Sequence, residues 1–236
     1  MQSPKALSVA VALALVNGLT GCAPQPTTTP GADTDANSTF RIAPGEQRYV
    51  IDDSASELHV YTYRGGKLAR FGHNHVLNAR QLRGDVALTD GIVGSRFHLR
   101  VPLASIEVDN PNLRAAAGVK FNSKPSPEDV AATRTNMLGH DGLDVAVAPA
   151  ALIQGEVLNL NTKVAILSVR VTIREKIHRQ NINIKVTTHT ESILVSGAMS
   201  LKHSDFGITP FSVMLGALTV KDKVDIRFEL VARLAT

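Results

Sequence analysis

VDIRFELVARL, residues 224–234, sets the period of this chain. Val224, Ile226, Phe228, Leu230, Ala232 and Leu234 fall on one parity. Asp225, Arg227, Glu229 and Arg233 fall on the other, and only Val231 breaks the alternation. Successive side chains of a strand point to opposite faces, so this segment reads as a strand with one buried and one wet side. The same period recurs upstream. Val93, Phe97, Leu99 and Val101 oppose Arg96, His98 and Arg100. Ala165, Leu167, Val169, Val171 and Ile173 oppose Ser168, Arg170, Thr172 and Arg174. Ile193, Val195, Met199 and Leu201 share a face with Gly197. Further strands are expected at 48–52, 57–64, 81–89 and 181–188, in a chain where Val, Ile and Thr are common.

Between these runs lie turn residues. Arg64-Gly65-Gly66-Lys67 and Thr89-Asp90-Gly91 suit tight hairpins, which make consecutive strands antiparallel neighbours. One stretch differs. Ser126-Pro127-Glu128-Asp129 combines an N-cap residue, an early proline and acids at the positive end of a helix dipole, and Gly139 follows as a stop. The spacing predicts a helix over 127–138 that covers one end or side of the sheet. Many one-sided strands and a single covering helix define an all-β, antiparallel domain, either a closed barrel or a sandwich. Closure removes exposed edges and so favours the barrel, but period alone does not separate the two.

The 236 residues suffice for one such domain, and 44% of them are apolar. The 25 basic and 21 acidic residues are interspersed, there is no Trp, and aromatic residues make up 4%. Neither a basic stripe nor a base-stacking surface is present, which argues against nucleic-acid binding. The one cysteine, Cys22, cannot form an internal disulfide. Its setting accounts for it instead. Lys5 precedes an apolar run from Ala6 to Val16, the length of a signal-peptide core and too short to span a bilayer. Leu19-Thr20-Gly21-Cys22 then matches the lipobox of bacterial lipoproteins, in which the cysteine is acylated and becomes the mature N-terminus.

Residues 1–21 are therefore expected to be a lipoprotein signal peptide. Residues 22–46 are expected to be a lipidated N-terminus and disordered tether rich in Pro, Thr, Gly and Asp, and 47–236 the folded domain. Each buried acyl CH₂ contributes about 0.8 kcal/mol, so such an anchor holds firmly to a membrane. The expected place is the periplasmic face of the cell envelope. Ala23 follows Cys22, where an Asp would retain some lipoproteins in the inner membrane, and this favours the outer membrane.

The opening Tyr49-Val50-Ile51-Asp52 with Ser56 resembles the start of the YceI-like domain. So do Thr133-Arg134-Thr135-Asn136-Met137-Leu138, the following Leu143-Asp144-Val145, and Ser204-Asp205-Phe206-Gly207-Ile208. The likeness spans roughly residues 48–234. Ala55, His203 and the Phe71-Gly72-His73-Asn74-His75 segment depart from the family pattern, as in a divergent branch. The resemblance implies a lipocalin-like antiparallel barrel of about eight strands with an apolar interior. It also implies a long isoprenoid lipid as ligand.

Such a barrel is either filled by its own side chains or just wide enough for one small ligand. The residues leave both open, and the resemblance favours the hollow form. Phe97, Phe206, Phe211 and Met214 are expected at a slot near a mouth. Leu99, Val169, Val195, Met199 and Phe228 are expected along the apolar wall, with Gly197 and Ala198 opening local space. His73 and His75 are two apart, so on a strand both would face one way and could ligate a metal or a haem, which makes a metal- or haem-handling periplasmic protein an alternative function. His59, His140 and His203 are candidate further donors. The alternative is a pair of polar residues at a strand end, hydrogen-bonded to neighbours. No Gly-x-Ser-x-Gly, His-Glu-x-x-His or phosphate loop is present, so catalysis is not expected. Asp205-Phe206-Gly207 is read as a turn. A filled barrel serving as a structural lipoprotein is the remaining alternative.

Overall fold

The computed structural model describes residues 40–162 and 164–235. The proposed signal peptide, Cys22 and most of the tether lie outside the described residues. No helix among the described residues is long and apolar enough to cross a membrane.

In chain order the strands are β1 (Gln47–Ile51), β2 (Glu57–Thr62), β3 (Arg64–Gly65), β4 (His75–Asn78), β5 (Arg83–Leu88), β6 (Arg96–Pro102) and β7 (Glu107–Val108). After helices α1 (Pro111–Ala116) and α2 (Pro127–Leu138) come β8 (Ala150–Leu160), β9 (Ala165–Ile173), β10 (Lys176–Thr188) and β11 (Ser192–Lys202). The chain ends with β12 (Ser212–Val213), β13 (Leu218–Val220) and β14 (Lys223–Leu234).

β14 decides the architecture. One of its edges is taken by β11 along its whole length, from Lys202↔Lys223 to Ser192↔Arg233. The other edge is shared. β2 pairs with its first half, Glu57↔Glu229 to Tyr61↔Asp225, and β1 with its last residues, Tyr49↔Leu234 to Ile51↔Ala232. The short 3₁₀ turn Asp53–Ala55 between them kinks what is otherwise one long strand. β4 and β5 likewise run along β2 and β1, and β6 and β7 along β5 and β4. Counted as staves, these broken pairs join β8, β9, β10, β11 and β14 in an eight-stranded antiparallel barrel, closed by the β1–β14 pairing. Each stave pairs with the next in the chain, an up-and-down order that leaves no open edge in the ring.

The sequence reading reached about eight strands by a different sum. It treated 48–52 and 57–64 as separate strands, although they form one stave. It passed over β8, where Gly155 interrupts the inward residues Ala151, Ile153 and Val157 and a bulge near Leu158 shifts the register. Arg64-Gly65-Gly66-Lys67 is not a tight hairpin. It opens an excursion between β2 and β4 whose strand β3 pairs with β13, and β13 pairs with β12, to make a small separate sheet.

The two ends of the barrel differ. Links β5–β6, β8–β9 and β10–β11 all turn at the end where β1 begins. The long insertions, residues 103–149, 63–74 and 203–222, gather at the other end. There Val101, Leu103, Ile106, Val171, Leu201, Phe206 and Ile208 form a buried plug, and Val130, Met137 and Leu138 of α2 pack against it. α2 spans the residues expected for it. It opens with a capping box, Ser126 Oγ accepting from the Asp129 N–H and the Asp129 carboxylate from the Ser126 N–H. Arg134 fastens α2 to the barrel by donating to the carbonyls of Ile106 and Ala104.

Candidate functional site

With the insertion end plugged, the interior stays open from mid-barrel to the opposite rim. A cavity of about 120 Å³ lies there. Its deep wall includes Leu58, Leu99, Met199, Ile226 and Phe228, and its rim Leu88, Ile92, Ser95 and Arg96. Every stave contributes, and apart from Ser95 and Arg96 the lining is apolar. Such a space repels water, because a water molecule needs polar partners, and it favours an apolar guest.

Two cross-strand pairs keep the lumen from filling. Phe97 on β6 stands directly opposite Gly155 on β8, and Phe228 on β14 opposite Gly197 on β11. A Cβ at Gly155 would sit 2.4 Å from the Phe97 ring, and one at Gly197 would sit 2.8 Å from the Phe228 ring. Each ring therefore lies against the wall over a glycine and takes up the space that a side chain there would occupy.

Phe97, Leu99, Val169, Val195, Met199 and Phe228, expected as lining, do face this cavity. Phe206, Phe211 and Met214 do not. Phe206 is buried in the plug, near His178, with ring centroids 6.3 Å apart. Phe211 and Met214 belong to the excursion that carries β12 and β13, and both are exposed. They follow the strand run in sequence, but the chain leaves the barrel after Lys202, so adjacency misled. The reading also missed Ile51, Val86, Ile92 and Ile153. The first two lie in segments expected as strands, where no inward face was assigned. Ile92 sits in a link with φ +72°, a placement no alternation signals.

At the rim Arg96 is held by Glu46, at 2.8 and 2.9 Å, and by the Arg41 carbonyl at 3.1 Å. The Arg96 hydrogen bond, with one from the Ala43 N–H, holds the Glu46 carboxyl below its usual range. Phe40 packs against His98 with the rings tilted and their centroids 4.6 Å apart, so the stretch from Phe40 to Glu46 lies along the outer face of β6.

The His73/His75 pair is corrected. Only His75 is in a strand, and each imidazole already has partners. His75 Nδ1 lies 2.6 Å from Asp109 Oδ2, and His73 Nδ1 lies 3.1 Å from Ser123 Oγ. His140 bonds Asp144, His203 the Asp222 carbonyl, and His59 sits edge-on to Tyr61. Among the described residues no three His, Cys, Asp or Glu side chains converge to hold a metal. The pair instead borders a buried ion pair. Arg114 donates to Asp109 Oδ1, at 2.5 Å, and to the carbonyls of Asn74, Phe121 and Ser123. Burial alone would raise the Asp109 carboxyl, but the His75 bond, the Val76 N–H and Arg114 bring it below its ordinary value. Burial is the main reason His73 is lowered. Asn74 completes the clamp, accepting from the Arg64 N–H and donating to the Lys120 carbonyl. The Phe71–His75 segment thus ties the 109–125 insertion to the barrel.

A closed antiparallel barrel with a dry apolar lumen and one plugged end is consistent with a binding protein. The chain belongs to the YceI-like family, whose sequence profile matches residues 49–232. No curated protein matches it in sequence. Among solved structures it is similar to BcnA of Burkholderia cenocepacia, with 14% identity and a TM-score of 0.57 over 79% of this chain and 99% of that one. A mutant CJ YCEI protein is similar over 68% of this chain and 85% of its own, at 11% identity and TM-score 0.50. At these identities the likeness is one of fold.

Proposed function

We propose that the protein is an envelope-anchored binding protein that holds a slender apolar lipid of isoprenoid type in its barrel. The observation that carries this reading is the lumen, walled by apolar residues and kept open by the Phe97–Gly155 and Phe228–Gly197 pairs. Its volume of about 120 Å³ is below the roughly 300–1,000 Å³ of a typical ligand pocket. A rigid polycycle does not fit that space. A flexible chain enters end-on at the Leu88–Ile92–Arg96 rim as the unbranched Met199 side chain changes rotamer, with the two Phe rings staying against the wall. Each Å² of apolar surface it buries contributes about 25 cal/mol. The reading includes no chemistry on the ligand. It places the domain at the periplasmic face of a membrane, held by acyl chains on Cys22 and the segment that follows.

Mass spectrometry of the full chain, extracted from membranes of its native host in mild detergent, tests both parts. Native spectra are expected to carry an added mass that organic solvent releases as a prenyl lipid, and denatured spectra an acylated N-terminal cysteine. A barrel empty under native conditions removes the ligand reading. An unmodified Cys22 removes the anchor reading and leaves the ligand untouched.

A further inference from the structure

The excursion that left the barrel with Phe211 and Met214 forms a surface of its own. β3, β13 and β12 make a small sheet at the plugged end, away from the rim of the lumen. Its loop carries Met214, 67% exposed, and Leu215, fully exposed, beside Phe211 at 49%. Phe71, 63% exposed, comes from the neighbouring excursion, which is tied to this loop by the Leu68 N–H to Ala217 carbonyl bond at 2.7 Å. The large apolar side chains are presented outward by backbone that resists it. Met214 and Leu215 both lie in the left-handed region, with φ +54° and +55°, where residues other than Gly, Asn and Asp are seldom found.

The stretches of chain that form this tip carry formal charge of one sign, with Asp205 and Asp222 at the base of the second excursion. Residues 58–84 and 206–221 contain no Asp or Glu, while they contain Arg64, Lys67, Arg70 and Lys221. The Arg70 guanidinium lies 4.7 Å from the centre of the Phe71 ring, a cation laid against the exposed apolar face. An outward apolar tip with a basic collar matches a bilayer interface, where acyl chains receive the tip and anionic headgroups face the collar.

We infer that the Phe71–Phe211–Met214–Leu215 tip is a membrane-contact surface that seats the folded domain on an anionic lipid bilayer. It acts independently of the acyl anchor and of what the lumen holds.

Residues 38–236 form one compact unit with a complete barrel, and the match covers 99% of the BcnA chain, so this part can be tested without the anchor. The protein has no Trp, which makes Leu215→Trp a single-site reporter. Its emission is expected to shift to the blue with vesicles of phosphatidylethanolamine and phosphatidylglycerol, and not with phosphatidylcholine alone. Val93→Trp, at the opposite end of the barrel, is expected to stay unshifted. Adding Lys67→Ala and Arg70→Ala to Leu215→Trp is expected to weaken vesicle binding roughly tenfold to thirtyfold. Circular dichroism matching the parent shows that each variant is folded. Three results would overturn the inference. They are no shift at position 215 in the folded variant, an equal shift at position 93, and a shift without vesicles that grows with protein concentration, which would mean a second copy covers the tip.

Discussion

Arg114 is enclosed to 6% exposure, and its guanidinium meets a carboxylate and three backbone carbonyls. Removing one member of such a pair strands the other charge away from water. Arg114→Ala is expected to cost about 3–5 kcal/mol, read as a lower denaturant midpoint with an unchanged slope. A loss below about 1 kcal/mol would mean that the pair is solvated in solution. Little of this was legible beforehand. His73 and His75 stood out for their spacing, yet their partners Ser123 and Asp109 lie far along the chain. Asp109 itself takes φ +56°, a conformation Asp tolerates and sequence does not announce.

At the scale of elements, alternation was the strongest signal and glycine the point where it failed. Gly155 hid β8 because a missing side chain breaks an inward row. The same absence makes room for the Phe97 ring. Gly197 plays the matching part for Phe228, with Ile184 as its other near neighbour. Gly197→Ala is expected to push the Phe228 ring into the lumen, lower stability by about 1–3 kcal/mol, and reduce uptake of an apolar fluorescent probe. Unchanged probe binding in the folded variant would show that Phe228 does not control the free volume. Helix α2 was readable to the residue because its start signal is local, a Ser126–Asp129 box within four positions.

Across the whole molecule, carboxylates do much of the fastening. Asp52 is lowered to about 2 by hydrogen bonds from Ser54 and from Arg233, where β1 closes onto β14. Asp222 is lowered by bonds from Ser204. Asp225 is lowered too: burial opposes this, but Ser200, Lys223 and Tyr63 outweigh it. A carboxyl whose folded pKa is depressed binds its proton more readily when unfolded. The stability it contributes is therefore complete above the ordinary carboxylate pKa, about 4, and is lost as pH falls through the folded value. The thermal midpoint is expected to fall steeply between about pH 4 and about pH 2. A flat profile across that window would mean these bonds do not form in solution.

The sequence by itself determined the all-β class, the parity of most inward residues and the position of α2. Each of these is written in the spacing of near neighbours, and strand and helix periods are local properties. Only the tertiary structure decided that the sheet closes, that two sequence strands make one stave, and that Phe206, Phe211 and Met214 stand apart from the lumen. Closure depends on β14 sharing one edge between β1 and β2, a pairing between chain positions 164 to 185 residues apart, from Tyr61↔Asp225 to Tyr49↔Leu234. The hollow depends on which ring lies over which glycine across a strand pair. Register sets those contacts, and no stretch of neighbouring residues encodes them.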